Sequence, residues 1–294
     1  WIAWDMTGSS SFVGLVALVQ FSPAIVLSPL FGVWVDRLDV QRAIIVVQCA
    51  NFGVMAGFFG FYVMGWLTPV TMIVLTLISG IALAANHPMR MSLSPRLVPR
   101  GMVASVVTIV AINFNVARTL GPALGGVLIA WLGIGATLLI QAVLIVPFIF
   151  ALGRLEVRPS RKEGASQEPF GKALGLGLLQ VWNNAVIWRA VVIGGALATV
   201  ARGVLEILPP LADGVFQRGP DGLGILLTAT GLGAVCGGFF KAVLPPQSPG
   251  NVPLLTQVVI VLGLLMVAAL GAVSAWPVAL GIAAGIAFVT TLSA

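Results

Sequence analysis

The sequence predicts an all-α polytopic membrane protein, and three observations carry that prediction. Only 8% of the 294 residues are charged, while 59% are hydrophobic; soluble domains carry about a quarter charged residues. So few charges cannot build a water-facing exterior, so lipid must solvate most of the surface. Apolar runs recur along the whole chain, each near the ~20 residues that a bilayer-crossing helix needs. The basic residues, finally, collect in alternate connections between those runs.

Taken in order, a truncated first span ends near Asp5. Further spans are read at 11–35, 43–65, 69–87, 102–131, 134–153, 186–211, 222–244 and 253–273, and a clipped one at 277–294. The chain lacks an initiator Met and stops inside an apolar run, so it is expected to be a fragment of a longer protein. Pro23 and Pro29, beside Ser22 and Ser28, mark the second span as a bendable helix. The one long polar stretch, RLEVRPSRKEGASQEP, lies between the sixth and seventh spans. It divides the chain into an N-terminal bundle (1–153), a connecting loop (154–185) and a partial C-terminal bundle (186–294). Within the loop, GKALGLGLLQVWNNAVIW reads as a helix lying in the membrane interface before the seventh span turns in. VGLV at 13–16 and LGIL at 223–226 open the second and eighth spans, which suggests parallel halves.

Sides alternate with each crossing. One side receives Arg37, Arg42, Arg90, Arg96, Arg100, Arg154, Arg158, Arg161, Lys162, Lys172, Arg189 and Lys241, twelve of the 15 Lys and Arg. The other side receives Arg218, and Arg118 and Arg202 lie within spans. The positive-inside rule assigns the basic side, with the 154–185 loop, to the cytoplasm of a bacterial cell. Trp1, Trp4, Trp66, Trp131 and Trp276 fall near the opposite face, and Trp34, Trp182 and Trp188 near the basic face, as interface-seeking indoles should. With its charge spread along a membrane face in this way, the net +6 does not point to nucleic acid.

GVWVDRLDVQR, Gly32 to Arg42, places two acids and two arginines between greasy spans. Asp36 would stand at the end of its helix, where a carboxylate beside the helix C-terminus is unfavourable and needs partners from elsewhere. Gly32 is expected to admit a neighbouring helix. The spacing G-x-x-x-D-R of Gly32, Asp36 and Arg37 resembles the loop signature of the major facilitator superfamily. WDMTGSSSFVGLV and the stretch 86–126 are similar to its branch of enterobactin exporters and macrolide efflux pumps. The resemblance implies two six-helix bundles, the second incomplete here. It also implies that Asp36, with Arg37 and Arg42, clasps one bundle to the other in a state-dependent way; the reading as a simple charged turn stays beside it. The sequence departs from the signature after Asp-Arg, where Asp39, Val40 and Gln41 precede a single basic residue, Arg42.

GPALGG, 121–126, resembles the antiporter signature of the fifth span through Gly121, Pro122, Gly125 and Gly126, although Ala117 stands where a further glycine is expected. Independently of that, Pro122 should bend its helix, and Gly121 with Gly125 forms a GxxxG packing face. Arg118 lies deep in the same span with Asn115 one turn back on its face. Such a cation either serves a cavity, binding an anionic solute or steering a proton, or makes a structural ion pair or carbonyl contact. Arg202 and Glu206 share a face of the seventh span. Glu206 is read as the one carboxylate inside a complete span, and so as the first proton candidate, with Asp5 second. His87 reads as a helix-end interfacial residue. Cys49 and Cys236 read as small core residues without metal spacing, and no cofactor is expected.

The resemblance implies a secondary exporter of a drug, a siderophore or a similar amphipathic small molecule. It would work by alternating access coupled to protons, as a monomer in the bilayer. A permease subunit of an ATP-driven transporter and a transporter-like sensor remain alternatives. An intramembrane enzyme finds little material: the chain contains neither HExxH nor GxxxxGK[ST].

Overall fold

The computed structural model describes residues 1–35, 38–157, 175, 179–243 and 252–293. These residues form nine α-helices: α1 (Ile2–Thr7), α2 (Ser10–Val35), α3 (Val40–Val63), α4 (Pro69–Leu93), α5 (Val103–Gly153), α6 (Ala185–Pro209), α7 (Gly219–Val243), α8 (Val252–Ala272) and α9 (Trp276–Ser293). Short 3₁₀ turns follow α4, a π-helical segment, Pro210–Val215, extends α6, and no strand occurs among the described residues. Among the described residues, five helical stretches are long and apolar enough to cross a membrane. Their flanks expose side chains that water would reject, Ile25 at 79% and Phe239 at 72%. The chain is a multi-pass, all-α membrane protein.

The helix limits follow from local chemistry. Asp39 caps α3, its Oδ1 accepting from the backbone N–H groups of Gln41 (3.1 Å) and Arg42 (3.3 Å), two of the donors a helix start leaves orphaned. Thr68 and Thr71 form a reciprocal capping box at the start of α4, with Pro69 in the first turn where its missing N–H costs nothing. The expected boundary between the fifth and sixth spans is a single residue, Gly133, at φ 78° and ψ 173°. Only glycine adopts that conformation readily, so α5 has two arms, 103–132 and 134–153, joined without a loop. The expected interfacial helix lies mostly outside the described residues; of it, 179–183 are helical. The chain then breaks at Asn184, whose Oδ1 accepts from the Ile187 N–H.

The fourth span was expected to end at 87, yet α4 runs to Leu93. Pro88 removes the N–H that Ala84's carbonyl would have bonded one turn back. Ser28 of α2 supplies the missing donor, its Oγ reaching that carbonyl at 3.3 Å. A helix can pass through a proline in a membrane when a neighbouring helix satisfies the freed group.

The described chain falls into two compact units. One comprises Trp1–Val13, Asn115–Trp131 and Val181–Ala294, and its core is built on Leu208, Leu226, Leu270, Ala283 and Ile286. Within it Gly233 and Gly237 of α7 lie directly under the backbone of Ala284 and Phe288 of α9, a GxxxG face in close contact. The other comprises Gly14–Phe114 and Leu132–Gln180, with Val35, Val40, Ile44, Met89 and Leu152 in its core. Here Gly80 of α4 sits under the Gln20 carbonyl and the Pro23 ring of α2. The close approach expected at Gly32 is not made: a methyl group added there would meet no described atom within 4 Å. The close backbone approach of α2 to α4 is made at Gly80 instead, against Gln20 and Pro23 in the middle of α2.

Gly80→Ala should therefore destabilise the detergent-solubilised protein by about 1–3 kcal/mol, read as a lowered thermal-unfolding midpoint. Gly32→Ala should leave that midpoint unchanged.

Candidate functional site

The loop after α2 has its sequence-predicted centre, Asp36 and Arg37, outside the described residues. Its second half is described and makes local contacts. Arg42 is expected to help clasp two bundles, but its Nε pairs with Asp39 Oδ2 at 3.2 Å, one turn away and 87% exposed. Asp39 binds it because the carboxylate is already held at the helix start by two backbone donors. Arg42 thus completes a local cap. Gln41, which stands where the family pattern has a basic residue, reaches further. Its Nε2 donates to the carbonyls of Leu152 and Leu155, both at 2.8 Å. Those oxygens lie at and just past the end of α5, where the regular ladder of backbone donors stops. The loop is tied to the second arm of α5 by a neutral amide, a tie that spacing alone did not disclose.

On the first arm of α5, Asn115, Arg118 and Pro122 have side chains outside the described residues. The helix continues through Pro122. Gly121 and Gly125, expected as the packing face, have open space where a Cβ would project. The close contact belongs to Gly126, where a Cβ would stand 2.9 Å from Gly224 Cα of α7. One residue is about 100° of helix rotation, so Gly126 occupies a different face from Gly125, and that face meets α7.

On α6 the Arg202 side chain lies outside the described residues and Glu206 is half-buried. Asp5 is exposed on α1. Glu206 is not the only acid carried by this helix and its extension. Pro209 and Pro210 lack the N–H groups that would bond the carbonyls of Leu205 and Glu206. The ladder does not end there; it widens into π turns, with Phe216 N–H on the Leu211 carbonyl at 3.1 Å. This carries Asp213 on a helical segment. Its Oδ2 accepts from Trp4 Nε1 at 2.9 Å, across 209 residues of sequence, and the Trp4 ring packs on Gly214, 2.8 Å from where a Cβ would be. An Asp–Gly pair is what lets an indole lie flat against this turn while its N–H meets a carboxylate. Two prolines followed by Leu-Ala-Asp-Gly resemble a span end in sequence, which hid the pair. Beside it, Trp276 receives the edge of Phe216 at 5.1 Å and the Arg218 guanidinium at 4.7 Å.

A second polar cluster was also missed. Gln48 of α3 is 8% exposed, and its Oε1 accepts from Asn51 at 2.9 Å and from Asn86 of α4 at 3.2 Å. One amide oxygen with two lone pairs satisfies two donors where lipid offers none. His87 next to it is exposed.

A double-mutant cycle of Trp4→Phe and Asp213→Ala should show a coupling of about 1 kcal/mol in thermal unfolding. At the loop, Asp39→Ala should cost about 1 kcal/mol through the lost cap. Arg42→Ala should cost less than about 0.5 kcal/mol, because water screens so exposed a pair.

Comparison with known proteins places this geometry. The family model described as "transmembrane secretion effector" matches residues 1–294. The multidrug efflux pump Tap of Mycobacterium tuberculosis and of Mycobacterium bovis is 26% identical over 269 residues, which is 88% of this chain and 63% of the pump. The staphyloferrin A transporter of Staphylococcus aureus is 22% identical over 243 residues, 80% of this chain and 59% of that protein. The chain thus spans about three-fifths of the relatives it matches. These relatives are transporters, and the expectation of a non-enzymatic protein accords with them. The chain belongs to the transmembrane secretion effector family of the major facilitator superfamily.

Proposed function

We propose that the protein is a secondary exporter of small amphipathic molecules that works by alternating access. The observation that carries this reading is the Trp4–Asp213 hydrogen bond of 2.9 Å. It is a polar contact between the first helix and a π turn, next to the Arg218–Trp276 pair. A transporter needs contacts strong enough to hold one state and few enough to release it, since a ligand shifts such an equilibrium only by its differential affinity. One hydrogen bond contributes about 0.5–1.5 kcal/mol net, which is of that order. π turns recur at functional sites because they re-aim side chains without ending the helix.

Similarity to a multidrug efflux pump and to a staphyloferrin A transporter supports outward movement of a small organic solute. The twelve-to-one division of Lys and Arg between connections supports a cytoplasmic 154–185 loop and insertion in the bacterial cytoplasmic membrane. In this reading 1–153 and 186–294 are two bundles of one monomer, a division by chain order that differs from the compact units, where 115–131 packs with 181–294; Asp36 and Arg37 act at the inner rim. Proton antiport supplies the energy, with Glu206, Asp5 and Arg118 as the groups to test first. Arg202 tunes Glu206 from the same face, and Asn115 accompanies Arg118.

Inverted membrane vesicles containing the protein should accumulate a labelled lipophilic drug several-fold over control vesicles, and collapsing the proton gradient should abolish the difference. Accumulation that survives collapse of the gradient would remove proton coupling, and no accumulation at all would remove the export reading in favour of a sensor. A membrane-impermeant reagent applied to whole cells should leave a cysteine placed in 154–185 unlabelled; labelling from outside would invert the topology.

A further inference from the structure

A groove of about 440 Å³ runs between the first arm of α5 and α7, inside one compact unit. The two helices touch at Gly126 and Gly224, and Gly224 lies in the groove lining. Val127 and Trp131 line one wall, and Asp221, Ile225, Thr228 and Leu232 the other. Trp131 is 83% exposed, so its ring is available. We propose that this groove is a binding site for lipophilic organic cations.

The charge carries the assignment. Asp221 is the one ionisable residue among those lining the groove. It stands in the first turn of α7, where the helix dipole favours a negative charge. The nearest cation in sequence, Arg218, lies one turn before it, and its guanidinium is over the Trp276 ring at 4.7 Å. Among the described residues no ion pair reaches Asp221. A carboxylate at the rim of hydrocarbon walls without a cation calls for a partner that brings positive charge and apolar surface together.

The remaining polar groups agree in sign. Thr228 commits its hydroxyl proton to the Gly224 carbonyl at 2.8 Å, so it meets the groove as an acceptor. The Trp131 ring offers a π face, which attracts cations and not anions. Val127, Ile225 and Leu232 contact the apolar body, and the volume falls within the range of small-molecule sites, about 300–1,000 Å³. An anionic solute finds no positive side chain here, so the groove sorts by charge.

The biological meaning of the site rests on the export reading, but its binding does not, and the experiment keeps the two apart. Equilibrium binding of labelled tetraphenylphosphonium to the protein in lipid nanodiscs is compared with binding of neutral triphenylphosphine oxide, with no gradient present. Asp221→Asn should weaken the cation by about tenfold and leave the neutral compound unchanged, while Asp221→Glu restores cation binding. Trp131→Ala should weaken the cation by about fivefold, and Trp131→Phe by less. Thermal midpoints of the four variants, expected to match that of the parent because both residues are exposed, exclude misfolding. The proposal is overturned if the parent does not bind the cation. It is equally overturned if Asp221→Asn binds the cation as the parent does, or if both compounds weaken together, as they would were the groove only a seat for a lipid acyl chain. Vesicles that export while Asp221→Asn binds normally would retain the export reading and remove this site. Charge-selective binding in vesicles that move nothing would do the reverse.

Discussion

Lipid cannot donate or accept a hydrogen bond, and that constraint governs the structure down to single atoms. Each carbonyl that a proline frees must find a donor within the protein or be taken up by a change in helix type. Both solutions occur. Behind Pro88 the Ala84 carbonyl receives the hydroxyl of Ser28 from another helix, and past Pro209 and Pro210 the ladder loosens into π turns. The same constraint gathers Asn51 and Asn86 around one oxygen of Gln48. It also sends the Gln41 amide to two carbonyls at the end of α5. Glycine supplies the remaining requirement. Without hydrophobic attraction between helices, close backbone approach has to supply dispersion energy, and Gly80, Gly126, Gly224, Gly233 and Gly237 are where it does so.

The architecture was largely legible in the sequence because composition and run length report the solvent directly. Helices at 10–35, 40–63, 219–243 and 252–272 fall within a few residues of the expected spans. Gly133 was legible as a boundary, though not as a hinge without a loop. The misses share a cause. Pro88 and the Pro209–Pro210 pair were read as span ends, since sequence shows the lost donor but not the distant hydroxyl or the widened ladder that compensates. The error at Pro210 left Asp213 unremarked among loop residues.

The site residues were less legible, for a geometric reason. Helical packing turns on which of two adjacent small residues faces the neighbour, and Gly125 and Gly126 are alike in sequence yet about 100° apart in space. Motif matching also concentrates attention on charge. Arg42 stood out and makes a local cap pair, whereas Gln41, read as a weakened position, fastens the loop to α5. The described half of that loop is held by a carboxylate at its own helix start and by a neutral amide.

The π turn past Pro210 resembles a dislocation in a crystal. It is one surplus residue that the ladder can pass along but not expel while two prolines withhold their donors on one side. Gliding by a single residue would swing Asp213 around the helix axis by about 100°, away from the indole of Trp4, without unwinding a turn or lengthening the chain. With two prolines withholding their donors on one side, such a shift of register would cost fewer hydrogen bonds here than in an unbroken helix.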